Sequence, residues 1–147
     1  MASAAFAESS QPPERRIIPA SDRLIVALDV PTVEAAQSLV ATLDDSVQFY
    51  KIGMQLQFGG GLEYARELIQ SGKRVFLDSK LFDIDETVER AVENVGAMGV
   101  DFLTVHGNGK TIRAAVRGRN RSHSQLKLFS VTLLTSLDNF DVVDIYG

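Results

Sequence analysis

Val75-Phe76-Leu77-Asp78-Ser79-Lys80-Leu81-Phe82-Asp83-Ile84 opens as an apolar run of strand character and gathers three charges toward its end. Along a strand alternate side chains share a face, so Phe76, Asp78 and Lys80 are expected on one side and Leu77, Ser79 and Leu81 on the other. A carboxylate and an ammonium at the end of a buried strand are costly unless they pair or do chemistry. Asp83 follows three residues after Lys80, in what reads as a loop beyond the strand. A lysine held between two carboxylates stays protonated, because neighbouring anions favour its charged form. That describes a fixed proton donor rather than a nucleophile. A lone Asp-x-Lys is more often an ion pair on a solvated face, so the functional reading needs the arrangement to recur elsewhere in the chain.

It does recur. Toward the N-terminus, Leu24 to Asp29 is an apolar run closed by Asp29 and broken at Pro31, with Thr32 placed to cap a helix over Val33–Leu43. Val47 to Gly53 is a second strand with Lys51 near its end. Gly59-Gly60-Gly61 reads as a flexible turn before a helix from Leu62 to Ser71, which Gly72 stops. Toward the C-terminus, Glu86 to Met98 is an amphipathic helix with Val88, Ala91, Val92 and Val95 on one face, ended by Gly99. Asp101 to Gly107 is the fourth strand. Thr111 to Arg117 is a short helix, and the polar, basic stretch 118–125 reads as a surface loop. Leu126 to Leu134 is the fifth strand, ending at Thr135-Ser136, and a further helix starts near Asn139.

Strand and helix thus alternate five times. That pattern predicts an α/β fold with a parallel sheet. Each strand closes on a polar residue: Asp29, Lys51, Asp78 with Lys80, His106 and Thr135. These tips are spaced 22, 27, 28 and 29 residues apart, a regular βα unit. In α/β folds the site lies at the C-terminal ends of the strands.

Composition narrows the chemistry. The 147 residues suffice for one domain with a core, and the 45% hydrophobic fraction is that of an ordinary globular protein. A net charge of -4 argues against nucleic-acid binding. With no cysteine there is no disulfide framework, thiolate metal site or thiol nucleophile, which fits a cytoplasmic protein. No apolar run approaches the roughly 18 residues of a membrane span. Residues 1–20, rich in Ala and Ser with Pro12-Pro13 and Arg15-Arg16, read as a disordered tail, and 21–147 as the folded domain.

The tips offer aspartates and lysines, one His and one Thr, without a His/carboxylate set for a transition metal. Mg2+ on the carboxylates would be repelled by Lys51 and Lys80. Taken singly, His106 reads as a hydrogen-bonded structural histidine, Thr135 as a strand end and Asp29 as a helix cap. Ser136 has no His and Asp arranged with it as a triad. Alternating Lys and Asp suits the stabilisation and protonation of a carbanion, the ammonium supplying both positive charge and a proton at a fixed point.

Ala27-Leu28-Asp29-Val30, Tyr50-Lys51-Ile52-Gly53, Phe76 to Ile84 with Thr87, Thr104-Val105-His106-Gly107 and Val131 to Ser136 together resemble the orotidine 5′-phosphate decarboxylase family, in its order and spacing. The resemblance implies a (β/α) TIM-barrel type fold with about five of eight units present. It implies loss of CO2 from orotidine 5′-monophosphate (OMP) to give UMP, the last step of UMP synthesis, with no metal or organic cofactor. Carried over by position, Lys80 is the proton donor to C6 and Asp78 lies near the departing carboxylate. Lys51 and Asp29 contact the ribose and complete the charged network. Asp83 and Thr87 reach into the partner's site of a homodimer, and Thr135 contacts the nucleotide near the pyrimidine. Sugar-phosphate enzymes of the same superfamily use Mg2+ and carry Glu where this chain has Lys51.

Two departures stand out. Asp85-Glu86 replaces the family's usual Pro-Asn, and the sequence stops after the fifth strand, before the phosphate-gripping loop and an arginine expected near the end of the family's chain. An open five-strand piece is expected to be poorly soluble or oligomeric unless something completes it. Two alternatives follow from the strand count: a catalytically inactive barrel fragment, and a receiver-like signalling domain, which would want an acidic cluster on its first strand and a Lys on its fifth.

Overall fold

A computed structural model describes residues 18–147; the tail expected over 1–20 lies outside the described residues as far as residue 17. From Ile18 the backbone is tied to the domain, with Arg23 Nε donating to the Ile18 carbonyl at 2.9 Å.

Five parallel strands form one sheet: β1 (Val26–Ala27), β2 (Phe49–Gly53), β3 (Arg74–Leu81), β4 (Phe102–His106) and β5 (Lys127–Val131). Their spatial order is β1-β2-β3-β4-β5, the order of the chain. This decides between the two architectures that alternation allows. A receiver-like open sheet runs 2-1-3-4-5, with helices on both faces. Consecutive neighbours joined by crossovers of one hand place every helix on the same face, as in a barrel wall.

The helices are α1 (Val33–Leu43), a single turn α2 (Met54–Leu56), α3 (Leu62–Gln70), α4 (Asp85–Ala97), α5 (Gly109–Arg121) and α6 (Asn139–Tyr146). The core lies between the sheet's outer face and the helices. Leu28, Ile52, Leu77, Leu103 and Val105 meet Ala36, Leu68, Val88, Val92, Ala114 and Ala115, all nearly or fully buried. Each fully buried Val or Leu contributes about 1.5–3 kcal/mol. The inner face carries Phe76, Phe102 and Phe129, whose rings touch at centroid distances of 4.9–5.9 Å. Arg74 stacks over Phe49 at 4.3 Å and pairs with Asp101 at 2.8 Å, anchoring the sheet's N-terminal end.

Helix starts follow the expected chemistry. Thr32 caps α1 by accepting from Ala35 N, and Gly72 follows α3 with φ +85. The expected glycine turn is a kink between α2 and α3, with Gly59 and Gly60 outside helical φ/ψ and Gly60 at φ +97. Other boundaries differ from expectation. β5 ends at Val131, where its partner β4 ends at His106, so Leu133 and Leu134 have no ladder to join and are exposed. Helix α5 does not stop at Arg117 but continues to Arg121, through the stretch expected as a loop. The reason is Gly118. It is not a breaker here but a contact: a Cβ on it would lie 2.1 Å from the Glu89 carbonyl oxygen, so its hydrogen lets α5 press against α4. One turn apart, Arg117 and Arg121 then both reach the Glu89 carboxylate, at 2.6 and 2.9 Å.

Candidate active site

Asp29, Lys51, Asp78 and Lys80 form one continuous run of alternating charge at the C-terminal ends of β1 to β3. Lys51 Nζ donates to Asp29 Oδ1 at 2.9 Å and lies 3.7 Å from Asp78 Oδ2. Lys80 Nζ donates to Asp78 Oδ1 at 2.8 Å. These residues line a cleft of about 260 Å³, with Gly53, Met54, Gln55 and Leu56 forming its side. Asp78 stands in the centre, its side chain 18% exposed, between two ammonium groups. Asp29 is at the rim, 62% exposed.

Local structure explains the convergence. β1 to β3 are in register across the sheet, Ala27 opposite Lys51 and Gly53 opposite Asp78. Gly53 leaves room for the ion pair, since a Cβ there would stand 3.1 Å from Asp29 Oδ1 and 3.6 Å from Lys51 Nζ. Strand alternation puts Lys80 on the face of Asp78, as expected, but the strand between and after them is not regular. The pairing of β3 with β4 slips between Leu77 opposite Leu103 and Leu81 opposite Val105, a bulge. Within it Lys80 takes φ +47, the left-handed region. Ser79 meanwhile turns to the helical side and donates to Gln57 Oε1 at 2.8 Å.

Burial of the Asp78 carboxyl would raise its pKa. Hydrogen bonds from Lys80 and Thr104, and the charges of Lys80 and Lys51, outweigh burial and hold it below the ordinary value. Asp78 is therefore a carboxylate across the neutral range. Both carboxylates of the run are engaged by ammonium groups, and no cluster of three or more metal-ligating side chains occurs among the described residues.

The other expected site residues lie outside this run. Asp83 is exposed and its Oδ1 accepts from Ile84 N at 2.6 Å, so Lys80 is flanked by one carboxylate in this chain rather than two. Thr87 is exposed in the first turn of α4. Thr135 is exposed in the turn between β5 and α6, four residues past the strand end. His106 does end β4, where its ring meets Phe82 at 5.1 Å. One residue of the cluster escaped the sequence reading: Thr104, 6% exposed on β4, donates to Asp78 Oδ1 at 2.9 Å. Its signal lay in strand alternation, which puts Thr104 on the same face as His106 and one step deeper.

Chain-order parallel strands, helices on one face and charged tips at one rim define a partial TIM-type barrel with an enzyme-like mouth. A model of the orotidine 5′-phosphate decarboxylase / HUMPS family matches residues 22–146, and the chain belongs to that family. It is 53% identical over 125 residues to orotidine 5′-phosphate decarboxylase of Rhodopseudomonas palustris strain BisA53, covering 85% of this chain and 52% of that protein. Against the same enzyme of Methylorubrum extorquens strain PA1 the identity is 54% over 123 residues, covering 84% and 52%. Among solved structures, orotidine 5′-phosphate decarboxylase from Lactobacillus acidophilus superposes with a TM-score of 0.74 at 35% identity, covering 83% of this chain and 57% of that one. An uncharacterized conserved protein from Geobacillus kaustophilus gives 0.74 at 30% identity, covering 83% and 59%. The chain spans about half the length of the curated relatives it matches.

Proposed function

We propose that this chain carries the charged part of an OMP decarboxylase site and that the reaction is the conversion of OMP to UMP, within pyrimidine biosynthesis. The C6–carboxylate bond breaks, CO2 leaves, and the electron pair stays on C6. Lys80 Nζ stabilises that carbanion by its charge and then transfers a proton to C6; water returns a proton to the lysine. Asp78, held ionised, faces the substrate carboxylate and keeps Lys80 charged and in place. Lys51 and Asp29 bind the ribose hydroxyls at the rim. The observation that carries this reading is the unbroken run Asp29–Lys51–Asp78–Lys80, with no gap longer than 3.7 Å. A Lys at position 51 supports the metal-free nucleotide reaction over the Mg2+-dependent sugar-phosphate chemistry, because it places an ammonium where a cation would sit.

Asp83 and Thr87 belong, in this reading, to the site of a second copy. Phe82 and Ile84 flank Asp83 at 64% and 72% exposure, apolar surface that a partner subunit would cover. Thr135 meets the nucleotide near the pyrimidine. A homodimer acting on a free nucleotide, in the cytoplasm, is the assembly that follows. Among the described residues no helix is long and apolar enough to cross a membrane.

The test is release of labelled CO2 from carboxyl-labelled OMP by the 147-residue chain, with Lys80→Ala alongside. Release that survives Lys80→Ala removes the proposed proton donor. The competing reading, an inactive barrel piece, draws on the chain spanning about half of its relatives' length. It predicts no release at all, and calorimetric titration with UMP then tells a nucleotide-binding piece from an inert one.

A further inference from the structure

Among the described residues the hydroxyl of Thr104 is the side-chain group that joins β4 to both halves of the Asp78–Lys80 pair. It accepts from Lys80 N at 2.9 Å and donates to Asp78 Oδ1 at 2.9 Å. The bulge in β3 withdraws the Lys80 amide from the regular ladder with β4, and φ +47 is a conformation that lysine rarely adopts. Such a backbone persists when its surroundings over-determine it. Beside the Lys80–Asp78 bond and the Leu81–Val105 pairing, the surroundings include one hydroxyl whose single proton and one lone pair are both committed, on a residue 6% exposed.

We propose that Thr104 is a positioning residue: its hydroxyl clamps the left-handed backbone at Lys80 to the Asp78 carboxylate and thereby sets where the Lys80 ammonium stands. The geometry follows from the strand bulge alone, while its consequence for turnover rests on the decarboxylase reading. The groups facing Asp78 are Lys80 on its own strand, Lys51 on β2 and Thr104 on β4, with Asp29 beyond Lys51. Removing the hydroxyl deletes one of the hydrogen bonds that favour the Asp78 anion and frees the Lys80 amide.

Thr104→Val keeps the side chain's shape without its hydroxyl, and Thr104→Ser keeps the hydroxyl. In protein labelled with 13C at aspartate carboxyls, with Asp78→Asn to assign the signal, the Asp78 titration should move to higher pH in Thr104→Val and stay near its original position in Thr104→Ser. If the unaltered chain decarboxylates OMP, Thr104→Val should lose up to about a hundredfold in kcat while KM changes by no more than about threefold, and Thr104→Ser should recover most of the loss. An unmoved Asp78 titration in Thr104→Val overturns the assignment. So does a Thr104→Ser variant as impaired as Thr104→Val. Should Thr104→Val fail to fold, Thr104→Cys, a weaker donor of similar size, takes its place: a titration shifted upward supports the clamp and an unchanged one overturns it. If the unaltered chain releases no CO2, the decarboxylase reading fails separately and the titration still decides the role of Thr104.

Discussion

Lys80 Nζ donates to Asp78 Oδ1 across 2.8 Å, the two residues lying two positions apart on one face of β3. The register of β3 against β4 shifts between Leu77 and Leu81, around this pair. Lys80→Ala removes the ammonium and leaves Asp78 its hydrogen bond from Thr104 and the charge of Lys51. We expect decarboxylation, measured as CO2 release, to fall by at least about a thousandfold. Thermal unfolding should shift by no more than about 1–2 kcal/mol, since Asp78 keeps two partners.

The depressed Asp78 carboxyl carries a pH signature. A group whose folded pKa lies below its unfolded value, about 3.9 for Asp, adds stability that is complete above that unfolded value. The contribution is lost as pH falls through the folded pKa. Asp78→Asn should therefore be less stable than the unaltered chain at pH 7, and the gap should close below about pH 4. Urea midpoints from pH 7 down to pH 3 for both proteins measure it; a gap constant across that range contradicts the ionised, hydrogen-bonded Asp78. Glu89 is depressed as well, with the hydrogen bond from Arg117 the largest cause, and cancels in this comparison because both proteins contain it.

Gly53→Ala separates site geometry from stability. Its Cβ would crowd Asp29 Oδ1 at 3.1 Å, and Asp29 sits at a solvated rim where it yields easily. Gly53 has φ -81, so alanine fits the backbone there. Unfolding should change by less than about 1 kcal/mol. The Asp29–Lys51 pair must shift to make room, and KM for OMP should rise, by about tenfold if the contacts to the ribose lost in all are worth about 1.4 kcal/mol.

Gly118→Ala should run against helix propensity. In an exposed helix that change is stabilising by about 1 kcal/mol. At Gly118 the added methyl would meet the Glu89 carbonyl at 2.1 Å and Glu93 N at 3.1 Å, and helices α4 and α5 would have to separate. Destabilisation of about 1–3 kcal/mol in denaturant titrations is the expected outcome.

The inner face of the sheet predicts association. Phe129 is 46% exposed beside Phe102 and Phe76, on the last strand of the sheet. The 147-residue chain expressed alone should self-associate in sedimentation, and Phe129→Ser should reduce that association. A monodisperse, cooperatively melting monomer would count against an open barrel wall.

Alternation of apolar runs with amphipathic stretches was enough to place five strands and their helices, because burial on a helix-covered face imposes a local period that neighbouring residues alone satisfy. The capping of α1 by Thr32, its full span over Val33–Leu43 and the stop at Gly72 were readable for the same reason. Charged residues closing strands in parallel register pointed to a common rim, since register across the sheet fixes where each strand tip falls. What lay beyond the sequence was set by contacts between distant segments. Gly118 looks like a helix breaker until α4 lies against it. Thr104 looks like a core threonine until the β3 bulge brings Asp78 and the Lys80 amide to its hydroxyl. Alternation foresees Asp78 and Lys80 on one face; the left-handed backbone at Lys80 it does not foresee. β5 stops where β4 runs out, which leaves Thr135 in a turn. Local pattern carries the free energy of burial along one chain segment, whereas bulges, helix contacts and hydrogen-bond bridges depend on which segments the folded chain sets side by side.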